Sequence, residues 1–160
     1  MEAVIFVGVQ GSGKSTFYRE RFFHTHVRLS LDLLRTRHRE RIFLQSCLST
    51  QQRFVIDNTN VRRDERASYI AAAKAAHFQV IGYYFDVDLK IALSRNSQRT
   101  ARQLIPAKGV VGTFHRLERP SLHEGFDRLY TLQPAEEGQW AIVAMDPDSS
   151  TQSSPPAGVP

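Results

Sequence analysis

Short apolar runs rich in strand-forming residues alternate with stretches of helical character along most of the chain. This alternation predicts an α/β fold with a mostly parallel sheet flanked by helices. The predicted strands comprise residues 3–7, 27–30, 54–57, 78–85, 129–132 and 140–143. The predicted helices comprise residues 15–23, 32–48, 64–77, 89–97 and 110–117, with Asp88 as the N-cap of the fourth.

Low-complexity sequence is confined to the end of the chain. Residues 146–160 are rich in Ser and Pro and carry too little apolar surface to offset the entropy lost on ordering. We therefore predict one folded domain over residues 1–145, followed by a disordered tail over residues 146–160.

Several features bear on where the protein works. The longest apolar runs, such as residues 3–9, are too short to span a bilayer, so we expect no membrane partner. The chain starts without the basic, apolar and small-residue segments of a secretory signal. Its single cysteine, Cys47, excludes an internal disulfide. We therefore expect an intracellular protein, cytoplasmic or nuclear.

Positive charge is concentrated in the predicted folded domain. The net charge is +5, but residues 1–130 hold all 21 basic and 12 of the 16 acidic residues, giving +9. Residues 131–160 carry −4. Seventeen of the basic residues are arginine, whose planar guanidinium binds phosphate oxygens in pairs. The charge favours a polyanionic ligand, although a solvated basic surface explains it equally well.

The strongest motif is Gly-Val-Gln-Gly-Ser-Gly-Lys-Ser at residues 8–15, a full match to the phosphate-binding loop pattern. It follows a predicted strand and opens a predicted helix, so its backbone N–H groups can face an anion at a positive helix end. Lys14 would contact the β- and γ-phosphates of ATP, and the Ser15 hydroxyl would bind Mg²⁺. An incidental glycine-rich turn is the alternative. The predicted ATP-binding residues are Gly8, Gly11, Ser12, Gly13, Lys14, Ser15 and Thr16.

An acidic residue, Asp57, ends the apolar strand at residues 54–57, where such folds place a second carboxylate near Mg²⁺. A turn or N-cap aspartate is the alternative. Two amide residues, Asn58 and Asn60, follow at the carboxyl end of the strand, where open α/β sheets bind ligands. We predict that both contact the substrate, with capping of the next helix as the alternative.

Asp32 and Arg35 begin the predicted helix at residues 32–48, one turn apart and so on one helix face. A carboxylate there can accept a proton from an attacking hydroxyl, while the arginine holds a neighbouring phosphate. The alternative is a capping aspartate with a local ion pair.

A second group of arginines follows the helix that Asp88 begins. Arg95 and Arg99 are four residues apart and are expected on a helical face that continues into a basic loop. Beside a nucleotide site they would form a lid that stabilises charge on the transferred phosphoryl group. A solvated basic face is the alternative. Lys14, Arg95 and Arg99 join Asp32 as the predicted catalytic residues.

A resemblance to a known family rests on five segments, residues 8–16, 30–35, 55–60, 85–86 and 95–99. Together they resemble the polynucleotide 5′-hydroxyl kinases, including the kinase domain of polynucleotide kinase 3′-phosphatase, which are P-loop kinases of the AAA-like ATPase superfamily. The resemblance covers about residues 3–132. It implies that the aspartate matching Asp32 is the general base and that the arginine matching Arg35 contacts acceptor phosphate. The arginines matching Arg95 and Arg99 belong to the lid.

The resemblance therefore implies transfer of the γ-phosphate of ATP, with Mg²⁺, to the 5′-hydroxyl end of DNA or RNA. The sequence has no Asp-x-Asp-Gly phosphatase signature, so a 3′-phosphatase activity is not implied. A small-molecule or nucleoside kinase with the same ATP-binding residues is one alternative. A nucleotide-binding module without catalysis is another. The sequence does not indicate protein partners.

Overall fold

The computed structural model describes residues 1–146, in which six strands form one sheet covered by helices on both faces. The strands are β1 (Glu2–Val7), β2 (Val27–Leu29), β3 (Phe54–Ile56), β4 (Gln79–Phe85), β5 (Arg128–Pro134) and β6 (Trp140–Ala144). The helices are α1 (Lys14–Arg21), α2 (Leu31–Leu34), α3 (Arg37–Ser49), α4 (Arg63–Ala75), α5 (Leu89–Ser97) and α6 (Ala107–Arg116). The predicted tail lies, beyond its first residue, outside the described part of the chain.

The strand order is β2-β3-β1-β4-β5-β6. Neighbouring strands are parallel except for β6, which runs antiparallel to β5. This arrangement confirms the predicted α/β fold with a mostly parallel sheet. It also brings the carboxyl ends of β1, β3 and β4 to one edge, where such sheets bind ligands.

The central strand β1 is apolar without alternation because both of its faces are covered. Val4 pairs with Val55 on one side and with Ile81 on the other. Ile5 packs in the cluster that includes residues of α3 and α4. Val4 and Phe6 pack in the opposite cluster, which includes residues of α1, α5 and α6.

The predicted single helix at residues 32–48 is wrong, because the chain forms two helices there. Arg35 adopts a left-handed conformation with φ 68° and ends α2. Ser30 caps α2 by accepting a hydrogen bond from the Asp32 N–H, and Thr36 caps α3 in the same way through the Arg39 N–H. Side-chain hydroxyls that accept these bonds favour a new helix start over a continuous helix. Asp32 and Arg35 therefore do not share a helix face.

The other predicted elements are confirmed, with ends shifted by up to three residues. Asp88 occupies the N-cap position of α5, although its side chain makes no capping hydrogen bond. Arg99 lies beyond the last residue of α5, Ser97, so only Arg95 is on that helix. Within residues 1–146, none of the helices has the length and apolar character needed to cross a membrane.

A buried ion pair fixes the segment that follows β3. Arg66 of α4 is fully buried and donates to both carboxylate oxygens of Glu124, at 2.7 and 2.8 Å. Its Nη1 also donates to the main-chain carbonyls of Asn60 and Val61, at 3.0 Å each. All of these contacts are internal. Arg66 therefore fixes the segment after β3, at the carboxyl ends of the strands, where the predicted site lies.

Candidate active site

The phosphate-binding loop lies between β1 and α1. Gly11 and Gly13 have φ of 78° and 101°, a region that favours glycine. A Cβ on Gly11 would also collide with the carbonyl oxygen of Ala92 in α5. The Gly8 N–H donates to the Thr59 carbonyl at 2.9 Å, which ties the loop to the segment after β3. The first turn of α1 then offers N–H groups without helical partners, the arrangement that binds phosphate.

Lys14 lies at the base of this loop and is 8% exposed. Its Nζ donates to the carbonyls of Gly8 and Val9, at 2.8 and 2.7 Å. Burial lowers the pKa of Lys14 to about 8; the charges of Asp57 and Asp32 oppose this shift, and that of Arg99 reinforces it. Four residues predicted from four separate segments thus share one electrostatic environment.

Ser15 and Asp57 meet as the sequence predicts. The Ser15 hydroxyl donates to Asp57 Oδ2 at 3.0 Å, and the Asp57 side chain is 1% exposed. A hydroxyl and a carboxylate are hard oxygen donors of the kind that Mg²⁺ prefers, so these two residues fit that ion. In this structure the cation that contacts them is the guanidinium group of Arg28, from β2.

Arg28 was not predicted as a site residue. Its Nε donates to Asp57 Oδ2 at 2.7 Å, and its Nη2 donates to Ser15 Oγ at 2.8 Å. The sequence offers one weak signal, a charged residue inside the short apolar run of β2. That signal does not identify a partner 29 residues away.

Asn58 connects the end of β3 to the helix that carries Asp32. Its Oδ1 accepts the Leu31 N–H at 2.9 Å, and its Nδ2 donates to Glu40 Oε1. Glu40 is 3% exposed and also accepts a hydrogen bond from Tyr69 Oη at 3.0 Å. Burial and the charge of Glu40 raise the pKa of Tyr69 to about 12, so its hydroxyl stays protonated and donates. Asn58 therefore positions other residues of the site.

A cavity of about 420 Å³ lies beside this cluster, between α3 and α4. Its volume is in the range of small-molecule sites. It combines both signs of charge with an apolar wall and an aromatic hydroxyl. It is lined by Arg37, Glu40, Arg41, Leu44, Glu65, Ser68 and Tyr69. Glu40 and Tyr69 were missed by the sequence analysis, because burial of one carboxylate cannot be read from a helix as charged as α3.

The other two predicted substrate-binding residues, Asn60 and Arg35, differ in their exposure to solvent. Asn60 is 3% exposed, and its Nδ2 donates to the Phe6 carbonyl at 2.8 Å, a position that supports β1 rather than one open to a substrate. Arg35 is exposed, at the end of α2. Thr16 is likewise exposed, on the first turn of α1.

One of the two predicted lid arginines, Arg95, contacts the phosphate-binding loop. Arg95 Nη1 donates to the Ser12 carbonyl at 3.3 Å, and its guanidinium lies 5.7 Å from the ring centre of Trp140 in β6. Trp140 also packs against the loop, since a Cβ on Gly13 would collide with the tryptophan ring. Arg99 is half-buried, and its charge acts on Lys14 as described above. Trp140 had no signal in the sequence that pointed to this site.

With this geometry in place, comparison with known proteins gives the family. The family model described as an AAA domain matches residues 36–119, or 84 of the 160 residues, and the chain belongs to that family.

Solved structures share the fold at low sequence identity. A chain of the AvrRxo1-ORF1:-ORF2 complex with ATP has a TM-score of 0.67 at 15% identity, with 89% of this chain and 57% of that chain covered. A gluconokinase from Sinorhizobium meliloti 1021 has a TM-score of 0.60 at 16% identity, with 84% and 83% covered. The Mycobacterium tuberculosis APS kinase CysC, with AMPPNP and APS, has a TM-score of 0.56 at 18% identity, with 84% and 89% covered. This chain thus spans little more than half the length of the AvrRxo1 complex chain.

These similarities agree with the α/β P-loop fold described above. They do not single out the polynucleotide kinases within it.

Proposed function

We propose that this protein is an ATP-dependent kinase that transfers the γ-phosphate of ATP to a hydroxyl group of a small molecule. The observation that carries the proposal is the hydrogen bond from the Leu31 N–H to Asn58 Oδ1 at 2.9 Å. It ties the short helix that carries Asp32 to the strand end where Asp57 meets Ser15 of the phosphate-binding loop. Phosphate binding alone needs the loop and its lysine. A carboxylate beside them, on a separate helix, adds a group that can accept a proton.

Each residue then has a role in transfer. Lys14 would exchange its carbonyl partners for the β- and γ-phosphates of ATP. Ser15 and Asp57 would hold Mg²⁺, which would offset the phosphate charge. Asp32 accepts the proton of the attacking hydroxyl. Arg95 and Arg99 stabilise the charge that develops on the transferred phosphoryl group.

The cavity between α3 and α4 supports a small-molecule acceptor. Two of its lining residues, Glu40 and Tyr69, contact the side chain of Asn58, which follows Asp57 and accepts the N–H of the residue before Asp32. Its volume suits a compact metabolite. The names gluconokinase and APS kinase among the structural neighbours agree with this class of acceptor.

A 5′-hydroxyl end of DNA or RNA is the second candidate acceptor. The observation that favours it is a group of exposed arginines around the starts of α3 and α4, the two helices that line the cavity. Such residues can follow a phosphate backbone. They are Arg35, Arg37, Arg39, Arg41, Arg62 and Arg63.

Substitution of the proposed base tests the kinase assignment. Asp32→Asn is expected to lower γ-phosphate transfer by about 10²- to 10⁴-fold, the usual contribution of a general base, while ADP affinity stays within about twofold. Asp64→Asn, which removes an exposed carboxylate on α4, is the matched control and should retain transfer. Equal transfer by Asp32→Asn and the control would contradict the role of Asp32.

A panel of acceptors tests the substrate class. Labelled ATP is offered with sugars, sugar acids, nucleosides and adenylyl sulfate, and separately with 5′-hydroxyl and 5′-phosphorylated DNA and RNA oligonucleotides. We expect label on a small molecule, with little dependence on salt. Label on 5′-hydroxyl strands alone, falling steeply between 50 and 200 mM salt, would establish the polynucleotide reading instead. No transfer to any acceptor with ADP binding intact would favour a non-catalytic module.

A further inference from the structure

One arginine occupies the point where the cation-binding oxygens of the loop converge. Arg28 contacts the same two groups, Ser15 Oγ and Asp57 Oδ2, that fit a divalent cation. We propose that Arg28 is an internal counter-ion of this pair that competes with the divalent cation and must leave before the cation binds. Mg²⁺ loading is then a displacement, not the filling of an empty site.

The hydrogen bonds explain why both cations cannot be held at once. Ser15 Oγ donates its proton to Asp57 and accepts from Arg28 Nη2, so its lone pairs face the guanidinium. Asp57 Oδ2 receives Arg28 at 2.6 Å through Nη2 and at 2.7 Å through Nε. A divalent cation about 2.1 Å from these oxygens would occupy the place of the guanidinium N–H groups. It would also add a like charge beside Arg28.

The pair also explains how the protein tolerates the buried carboxylate without a metal. Asp57 is almost fully buried, and a lone carboxylate there would be strongly unfavourable. The guanidinium supplies both charge and hydrogen bonds, so the site is neutralised before any ligand arrives.

Arg28 is placed so that it can move away. Its side chain is 23% exposed, and β2 is an edge strand of the sheet. The contrast is Arg66, whose side chain is fully buried and whose nitrogen atoms have four internal partners. The Arg28 guanidinium also lies 5.6 Å from the ring centre of Tyr18. The exposed part of the side chain gives the guanidinium a path toward solvent.

Competition predicts that removal of the guanidinium strengthens metal binding. The probe is Mn²⁺, measured by electron paramagnetic resonance on nucleotide-free protein. Arg28→Gln keeps a side chain that can donate a hydrogen bond to Asp57 but removes the charge. We expect it to bind Mn²⁺ at least tenfold more tightly than the unsubstituted protein.

Two further variants locate the effect. Arg128→Gln removes an equal charge from an exposed residue at the amino end of β5, and its Mn²⁺ affinity should match the unsubstituted protein. Adding Asp57→Asn to Arg28→Gln should abolish the gained site. The proposal is overturned if Arg28→Gln binds Mn²⁺ no more tightly than Arg128→Gln, or if the tighter site survives Asp57→Asn.

Thermal unfolding keeps the test informative if Arg28→Gln is poorly folded. Saturating Mn²⁺ should raise its melting temperature by more than that of the unsubstituted protein, because the metal replaces the missing cation. An equal or smaller rise would count against the proposal. The inference rests on the proposed function only for the identity of the natural metal–nucleotide complex. Because metal binding is measured without ATP or acceptor, a failed kinase assay and a failed Mn²⁺ experiment remain distinguishable.

Discussion

Two arginine–carboxylate pairs lie near the same edge of the sheet, yet their surroundings differ. In the Arg66–Glu124 pair the side chains are 0% and 3% exposed, and each carboxylate oxygen accepts a hydrogen bond from a different arginine nitrogen. In the Arg28–Asp57 pair the carboxylate is also buried, but the arginine is 23% exposed. Its Nη2 and Nε both contact the same carboxylate oxygen, Oδ2. The first pair has every partner inside the protein, whereas the second has one side open to solvent.

This difference separates a structural ion pair from an exchangeable one. Arg66 also bonds the carbonyls of Asn60 and Val61, so its loss would leave both the carboxylate and the main chain unpaired. Arg28 shares its partners with a potential ligand, because Ser15 and Asp57 suit a divalent cation. The carboxylate is buried in both pairs, and the solvent exposure of the arginine distinguishes them.

The largest effect should follow removal of the enclosed arginine. Arg66→Met is expected to lower the free energy of unfolding by about 3–5 kcal/mol, because it leaves Glu124 charged and buried without its partner. Urea unfolding measures the loss. Arg63→Met is the control, since that side chain is 63% exposed and its nitrogen lies 4.0 Å from Glu124. It should cost less than about 1 kcal/mol. Equal losses in the two variants would show that enclosure does not set the strength of the pair.

A smaller effect is expected at the exchangeable pair. Arg28→Gln should lower the free energy of unfolding by about 1–3 kcal/mol, because water and the glutamine amide partly replace the lost donors. Combining it with Asp57→Asn should cost less than the sum of the single changes, since each removes the same interaction. Urea unfolding of the four proteins in a double-mutant cycle gives the coupling. Strict additivity would argue that Arg28 and Asp57 do not interact in solution.

Neither ion pair could be predicted from the sequence, although the fold and the phosphate-binding loop could. Residues 8–15 form a local motif whose loop conformation follows from glycine and from its place between a strand and a helix. The paired residues are 29 and 58 positions apart, so their contact exists only after the sheet has formed. Arginine is also so frequent here, 17 residues in 160, that composition does not mark these two.

The break between α2 and α3 shows a second limit. The apolar and charged residues at 32–48 are compatible with one helix. The break depends on two local hydrogen bonds, in which the hydroxyls of Ser30 and Thr36 accept main-chain N–H groups. Hydroxyl residues occur in helix interiors as well as at caps, so their presence alone does not decide. The position of Asp32 directly after β2 does not depend on the helix continuing, so the break changes its relation to Arg35 but not its place at the end of that strand.

Lys14 is also a buried cation, and its contribution to ADP affinity should depend on pH. Its pKa of about 8 describes the protein without phosphate, and a bound polyanion would raise it. Binding then takes up a proton above about pH 8, so ADP affinity should fall toward tenfold per pH unit there. Calorimetry at successive pH values measures this slope. Lys14→Arg stays charged throughout and is the control; the same slope in both proteins would assign the titration to another group.

The smallest effect belongs to an exposed pair, Lys74–Asp127, with side chains 41% and 39% exposed. Lys74→Met should cost only about 0.2–1 kcal/mol at pH 7, because solvent screens the pair, and Lys90→Met is the control for loss of an exposed lysine. Partial burial raises the pKa of Asp127. Hydrogen bonds from Lys74 and from the Val80 N–H lower the pKa by more, so the net shift is a decrease. The contribution is therefore present at neutral pH and is lost as the pH falls through that lowered pKa.

Salt gives the matching measurement for the exposed pair. Urea unfolding in 1 M NaCl should reduce the difference between Lys74→Met and the unsubstituted protein, since the screening length falls to about 3 Å. The loss caused by Arg66→Met should stay nearly constant, because its partners are shielded from ions. If salt reduced both losses alike, the enclosure of the Arg66–Glu124 pair would not hold in solution. The distinction between structural and exchangeable arginines would then have to rest on Arg28 alone.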